Sequence, residues 1–365
     1  METPEPIRIL IVDDSRIFRI VLQSVLEQIP GVQVVGSVFS GEKALEFIAR
    51  SPPDLITLDV EMPGISGLET LRQIARRNVQ AKPKPPVDTI LVSALTKKGS
   101  MIAVEGLQLG ALDFVCKPSA SSEQANRDSL HWSLEQKLAV VRERRFGIRS
   151  HGIAETNSHP AARSCMPRLH GQYRAIAIGT STGGPEALGI LLPSLVPRCS
   201  VPIFIVQHIL EGLSCYLAES LSRKCGRPVV EAENDLVIEP NGIYLAKSGR
   251  HMVVRSDNGV ARIGLSEAPP EKGCRPSANV FLRSAAIVYG SRLTTVILTG
   301  MADDGADGVR IVKRAGGYVI AQDEASSVVW GMPRAAAETG AVDEVLPLSK
   351  ISDCLVGLVS AGAAR

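Results

Sequence analysis

Residues 7–15 read IRILIVDDS, a short apolar run that stops at two adjacent carboxylates, Asp13 and Asp14. Similar runs return at residues 32–38, 55–60, 89–92 and 113–116. Amphipathic stretches, such as residues 18–28 and 67–76, lie between them. Near-continuous apolar strands alternating with helices predict a parallel sheet covered on both faces. Right-handed crossovers then make the domain doubly wound.

The 365-residue chain has room for two or three such domains. With 45% hydrophobic and 21% charged residues, it can bury a core in each, and disorder throughout is excluded. Its 40 basic and 38 acidic residues nearly cancel, so nothing global draws it to nucleic acid or an anionic membrane. The seven cysteines are scattered without a CxxC pair, which argues against a disulfide framework or a zinc knuckle. The start, METPEPIRIL, lacks the basic stretch and apolar run of a signal peptide, and no window approaches a membrane span. A soluble protein of a reducing cytoplasm is expected.

After Pro118, Leu130, Leu134, Leu138 and Val141 make one apolar stripe on a further helix, expected to pack back on the first domain. Residues 147–172 lack periodicity and read as a linker. This places a first domain at 1–146, a linker at 147–171 and a second domain at 172–365. The second block has candidate strands at 175–178, 203–206, 243–245, 295–298 and 318–321, with helices at 186–192, 278–288 and 333–338. Between 242 and 266 the breaks KSGR and SDNG suggest a meander or hairpin.

In the first block, five polar residues fall at the carboxyl ends of strands: Asp13, Asp14, Asp59, Ser93 and Lys117. Ligands of open parallel sheets bind at that edge. Three carboxylates there repel one another unless a cation joins them, and hard oxygen donors suit Mg²⁺. Lys117 supplies a point charge for an anionic phosphoryl oxygen, and Ser93 a hydrogen-bond donor. A lone Asp-Asp would read as a helix cap; the full set reads as phosphoryl chemistry.

These residues, in ILIVDDS, LITLDVEMPGISGLE, TILVSA and DFVCKPS, resemble the receiver domain of two-component response regulators. The resemblance implies a flavodoxin-like fold and a histidine kinase as phosphodonor. It implies phosphorylation of Asp59, with Mg²⁺ held by Asp13, Asp14, Asp59 and the backbone carbonyl of Glu61. Ser93 and Lys117 would sense the phosphoryl group, and Phe114 stands where such domains carry a rotamer-switching aromatic. The Pro-rich insertion AKPKPP is expected to alter a loop and not the site.

The second block carries AIAIGTSTGGPEAL, in which residues 179–183 fit G-x-S-x-G between a strand and a helix. Small residues around Ser181 permit a sharp turn that projects its hydroxyl. The helix start behind it offers N–H groups to a developing oxyanion. The loop has no Walker lysine and no G-x-G-x-x-G, which weakens a nucleotide-binding reading. A nucleophilic serine needs a base. Of the histidines in this block, His208 ends PIFIVQH on the same sheet edge, whereas His251 opens a strand at the opposite edge or in a hairpin. TTVILTGMADDGADG puts Asp303 and Asp304 at that same edge, where either can orient the imidazole, with Asp307 further on.

Together with LTGMADDGADG and AQDEASSVVWGMPRAA, these motifs resemble the catalytic domain of chemotaxis methylesterases. That resemblance implies a mainly parallel-sheet hydrolase acting on methyl-accepting chemoreceptors, with glutaminase activity beside the esterase. It implies Ser181 as nucleophile, His208 as base and Asp304 as orienter, with Met301 N–H in an oxyanion hole and Thr182 lining the pocket. Arg275, Pro276 and Ser277 resemble a segment near that cleft, and no cofactor is implied for the esterase. A receiver lying over the Ser181 cleft until Asp59 is phosphorylated is the expected control. A DNA-binding regulator would instead need a basic recognition helix, and the second block is too neutral and too sheet-rich for one. A scaffold would not need the three polar groups on one edge.

Overall fold

A computed structural model describes residues 5–80, 86–94, 96–118, 122–146 and 173–359. The chain divides into two compact units, residues 1–154 and 155–365. The proposed linker and most of the Pro-rich insertion lie outside the described residues.

In the first unit, strands β1 (Ile7–Val12), β2 (Val32–Val38), β3 (Leu55–Asp59), β4 (Asp88–Ser93) and β5 (Asp113–Cys116) form one parallel sheet in the order β2-β1-β3-β4-β5. This is the flavodoxin-like order, whose switch point lies between β1 and β3. Helices α1 (Arg16–Leu26), α2 (Gly41–Arg50), α3 (Gly67–Gln80), α4 (Lys97–Gln108) and α5 (Glu123–Phe146) connect and cover it. Ser15, Ser40 and Thr96 cap α1, α2 and α4 by accepting a backbone N–H. The stripe Leu130, Leu134, Leu138 and Val141 is fully buried, and α5 packs on α1 and β5. Each such side chain contributes about 1.5–3 kcal/mol. Lys137–Asp113 and Arg145–Asp54 ion pairs, at 2.8 and 2.7 Å, hold the same helix.

The second unit has seven strands in one parallel sheet: β6 (Ala175–Thr180), β7 (Ile203–Gln207), β8 (Val230–Glu231), β9 (Ile243–Leu245), β12 (Leu293–Ile297), β13 (Tyr318–Gln322) and β14 (Glu344–Leu346). A hairpin of β10 (His251–Asp257) and β11 (Val260–Ser266) stands apart from that sheet. The sheet order is β14-β13-β12-β6-β7-β9-β8. Helices α6 (Gly184–Leu195), α7 (Ser214–Cys225), α8 (Ala278–Tyr289), α9 (Ala306–Arg314), α10 (Met332–Glu338) and α11 (Leu348–Val359) complete the unit. The SDNG break is the hairpin turn: Asn258 and Gly259 both have positive φ, 49° and 82°, as a two-residue turn between twisted strands requires.

The expected two α/β units, one flavodoxin-like and one mainly parallel, are what the structure contains. The helices and strands named from the sequence did not include α7, α9, α11 or the short strands β8 and β14. Two- and three-residue strands carry no period of their own. Among the described residues no helix is long and apolar enough to cross a membrane.

Candidate active site and receiver site

In the second sheet the chain leaves β6 for β7 on one side and returns as β12 on the other. The carboxyl ends of β6, β7 and β12 are therefore neighbours, as at a switch point. Ser181 follows β6. Its N–H donates to Thr299 O at 3.0 Å, and its carbonyl accepts from Gly184 N–H at 2.8 Å, closing a tight turn into α6. Gly183 makes that turn possible: its φ is 78°, and a Cβ there would lie 2.7 Å from Val328 Cγ2. Gly300 is needed for close approach, since a Cβ would lie 2.8 Å from Ser181 Cβ.

His208 follows β7, its N–H bound to Thr180 O at 3.0 Å. Gln207 Nε2 donates to the carbonyls of Ser181 and His208, at 2.8 and 2.9 Å, and so ties the two site loops together. The imidazole Nε2 lies 2.8 Å from Asp304 Oδ2. Asp304 is fully buried and takes four hydrogen bonds. Oδ1 accepts from Ser277 Oγ and Asn279 N–H, and Oδ2 from Ala278 N–H and His208. Burial alone would raise its pKa, but His208 and the backbone donors outweigh it and hold the carboxyl below its ordinary value. Asp303 turns outward to Lys272 at 2.7 Å, so Asp304 is the carboxylate that meets the imidazole.

Burial also pulls the His208 pKa down, yet the Asp304 hydrogen bond and the neighbouring Cys274 overcome it and lift it to about 9. The second ring nitrogen, Nδ1, faces Cys274 Sγ at 3.5 Å. No hydrogen bond joins Ser181 Oγ to His208 among the described residues; such bonds often tighten only with substrate bound. The backbone N–H groups of Thr182 and Met301 donate to no protein acceptor among the described residues, which leaves them available to an oxyanion. Arg275 lies at the surface, its guanidinium 3.3 Å from Glu267 O. His251 is buried, its ring bonded to Pro269 O and Ser277 N–H at 3.1 and 3.2 Å, so both nitrogens are spent on structure. Asp307 pairs with Arg310 at the surface.

The sequence reading missed three participants: Gln207, Asn279 and Cys274. Gln207 lies in PIFIVQH, and Cys274 and Asn279 lie in KGCRPSAN, residues 272–279, but each one's partner is far away in the chain. Asn279 Oδ1 caps the turn after Asp304 by accepting from Gly305 and Gly308 N–H at 3.0 and 2.7 Å.

In the first unit, ligand oxygens of Asp13, Asp14 and Asp59 lie within 4.8 Å of one another. Lys117 Nζ is 2.8 Å from Asp59 Oδ2 and 2.7 Å from Asp13 Oδ2. Buried Asp13 Oδ2 has that ammonium as its recorded polar contact. Burial pushes the Asp59 pKa up to about 6; the Lys117 hydrogen bond opposes this and Asp13 reinforces it. One ammonium against three carboxylates leaves negative charge in excess, and their oxygens are a donor set that fits a hard divalent cation such as Mg²⁺. Glu61 N–H donates to Asp59 Oδ1 at 3.3 Å. Ser93 is buried at the end of β4 and Phe114 within β5, and Lys117 also lies 4.8 Å over the Phe18 ring. None of the six cysteines among the described residues is in a disulfide.

Residues 176–355 match the family described as CheB methylesterase, and residues 9–127 match the response regulator receiver domain. The chain is 38% identical to a protein-glutamate methylesterase/protein-glutamine glutaminase of Desulfotalea psychrophila, over 97% of this chain and 98% of that one. It is 37% identical to a protein of the same description from Pyrococcus abyssi, over 98% and 95%. Among solved structures, the Thermotoga maritima CheB methylesterase catalytic domain is 37% identical with a TM-score of 0.50, covering 51% of this chain and 99% of that one. Two parallel sheets, a receiver-type acidic site and a serine turn beside a His–Asp pair thus accord with likeness along nearly the whole length: the chain belongs to the protein-glutamate methylesterase/protein-glutamine glutaminase family.

Proposed function

We propose that the chain hydrolyses glutamyl methyl esters on methyl-accepting chemoreceptors by a Ser181–His208–Asp304 mechanism, and deamidates receptor glutamines by the same acyl chemistry. The observation that carries this reading is the 2.8 Å contact of His208 Nε2 with buried Asp304, beside the Ser181 turn. Asp304 fixes the tautomer and leaves Nδ1 as the nitrogen able to accept a proton. Ser181 Oγ attacks the ester carbonyl while His208 takes its proton. The oxyanion rests on N–H groups of the Ser181 and Met301 loops, with Thr182 lining the pocket. His208 then protonates the departing methoxide, which leaves as methanol. A water deprotonated by His208 releases the glutamate; with glutamine, ammonia leaves instead. S181A is expected to lose about 10⁴–10⁶ of methanol release from methylated receptor, and a retained rate would reject the assignment.

Control is assigned to the receiver unit. Asp59 accepts a phosphoryl group from a histidine kinase, and Lys117 and Ser93 contact its oxygens. Asp13, Asp14, Asp59 and the Glu61 carbonyl would hold Mg²⁺, which when bound offsets the negative charge of carboxylates and phosphoryl oxygens. A small phosphodonor such as acetyl phosphate is expected to raise methanol release by the full-length chain and to do nothing for D59N. Equal stimulation of both would remove Asp59 from this role.

A further inference from the structure

Cys274 touches the His208 ring, yet the esterase cycle proposed above does not use it. It is half-buried, on the turn before α8, and His208 Nδ1 faces its Sγ at 3.5 Å. The opposite ring nitrogen is bound to Asp304 at 2.8 Å. Thiol, imidazole and carboxylate therefore stand in the order of a base-assisted sulfur nucleophile with its orienter. Among the described residues, no other cysteine has a histidine ring nitrogen recorded against its sulfur. Cys199 and Cys354 are buried, and exposed Cys215 has only the Gly212 carbonyl beside its sulfur, at 3.5 Å.

The same three residues lie close enough to be weighed as a metal site. Asp304 argues against it: both its oxygens already carry two hydrogen bonds each, and it faces the ring nitrogen away from Cys274. Sulfur chemistry with an external oxidant requires no such loss.

We propose that Cys274 is a hydroperoxide-reactive modification site, and that its oxidation switches the esterase off by occupying His208 Nδ1. The consequence for turnover rests on His208 being the base, as proposed above; the reactivity of Cys274 does not. Sγ attacks the nearer oxygen of the hydroperoxide, forming the S–O bond as the O–O bond breaks. The thiol proton passes to His208 Nδ1 and then to the departing alkoxide or hydroxide. Sulfur loses two electrons and the peroxide gains them, giving a sulfenic acid and an alcohol or water. The new S–OH lies against Nδ1, so the imidazole no longer accepts the Ser181 proton. Two equivalents of an added thiol return Cys274 to the thiol, giving a disulfide of the reductant and water.

The test uses the full-length chain with hydrogen peroxide, dimedone trapping and peptide mass spectrometry, with Cys215 as the reference thiol in the same molecule. Trapping at Cys274 is expected to run about a hundredfold ahead of Cys215, the lower end of what a positioned base supplies. H208Q should erase that lead while leaving the Cys215 rate, which also reports an intact fold, unchanged. S181A should keep the lead, because trapping is read without turnover and so stands or falls apart from the esterase reading. In parallel, peroxide should inactivate the wild-type esterase and dithiothreitol restore it, while C274A keeps the same rate with and without peroxide. Equal trapping at Cys274 and Cys215, or equal fractional inactivation of C274A and wild type, would overturn the proposal.

Discussion

The Asp304 carboxylate and the His208 imidazole meet at 2.8 Å although 96 residues separate them in the chain. Backbone N–H groups at the start of α8 and the Ser277 hydroxyl hold Asp304 in place. Asp303, one residue away, is half-exposed and paired with Lys272. The two neighbours should therefore respond very differently to the same substitution. D304N replaces an acceptor by an amide among four donors and should lower kcat by about 10⁴. D303N removes an exposed ion pair and should change it by less than about fivefold. Methanol release by the two variants decides; a larger loss in D303N would reverse the assignment.

The pH dependence follows from the His208 pKa near 9, well above its ordinary 6.5. The base acts in its neutral form, so kcat should climb as pH rises through about 9. Stability moves the other way. A group whose folded pKa is raised stabilises fully below the unfolded value of 6.5 and loses that contribution as pH rises through about 9. Cys274 is one of the causes of the rise, so C274A should move the climbing limb of the kcat profile to lower pH. An unmoved limb would show that Asp304 alone sets the titration.

Gln207 joins the two loops through the carbonyls of Ser181 and His208. It touches no reacting atom and acts as a positioning residue. Q207L leaves the Ser181 carbonyl with Gly184 N–H alone and the His208 carbonyl without its recorded donor, a loss of about 1–3 kcal/mol in unfolding free energy. Misplacing the serine should reduce kcat by about a hundredfold with little change in KM. A fall in stability with kcat intact would confine Gln207 to a structural role.

Mass action gives a readout of the acidic site that needs no activity. A cation that binds only the folded receiver unit at a hundredfold excess over its Kd adds about 2.7 kcal/mol of stability. MgCl₂ should therefore raise the unfolding temperature of the receiver transition, and D13N, which removes a carboxylate charge from the cluster, should abolish most of that rise. No shift in the wild-type chain would count against Mg²⁺ there.

Much of this was legible in the chain itself because strand ends are written locally. An apolar run of five or six residues followed by a polar one, as at Val12–Asp13, Thr180–Ser181 or Gln207–His208, says which residues reach the ligand edge of a parallel sheet. The stripe on α5 is equally local, since a helix repeats within one turn. Short β8 and β14 were not legible, because their pairing and not their composition makes them strands.

Choices between equivalent neighbours required the folded chain. Sequence placed Asp303 and Asp304 on one edge, but only the packing of α8 buries one and leaves the other to Lys272. Sequence placed Cys274 in a motif, but only the approach of a loop 66 residues away sets its sulfur against His208 Nδ1. Backbone pattern determines which groups arrive at an edge. Side-chain rotamers, desolvation and contacts between distant segments determine which of them touch, and those terms exist only once the sheet has closed around them.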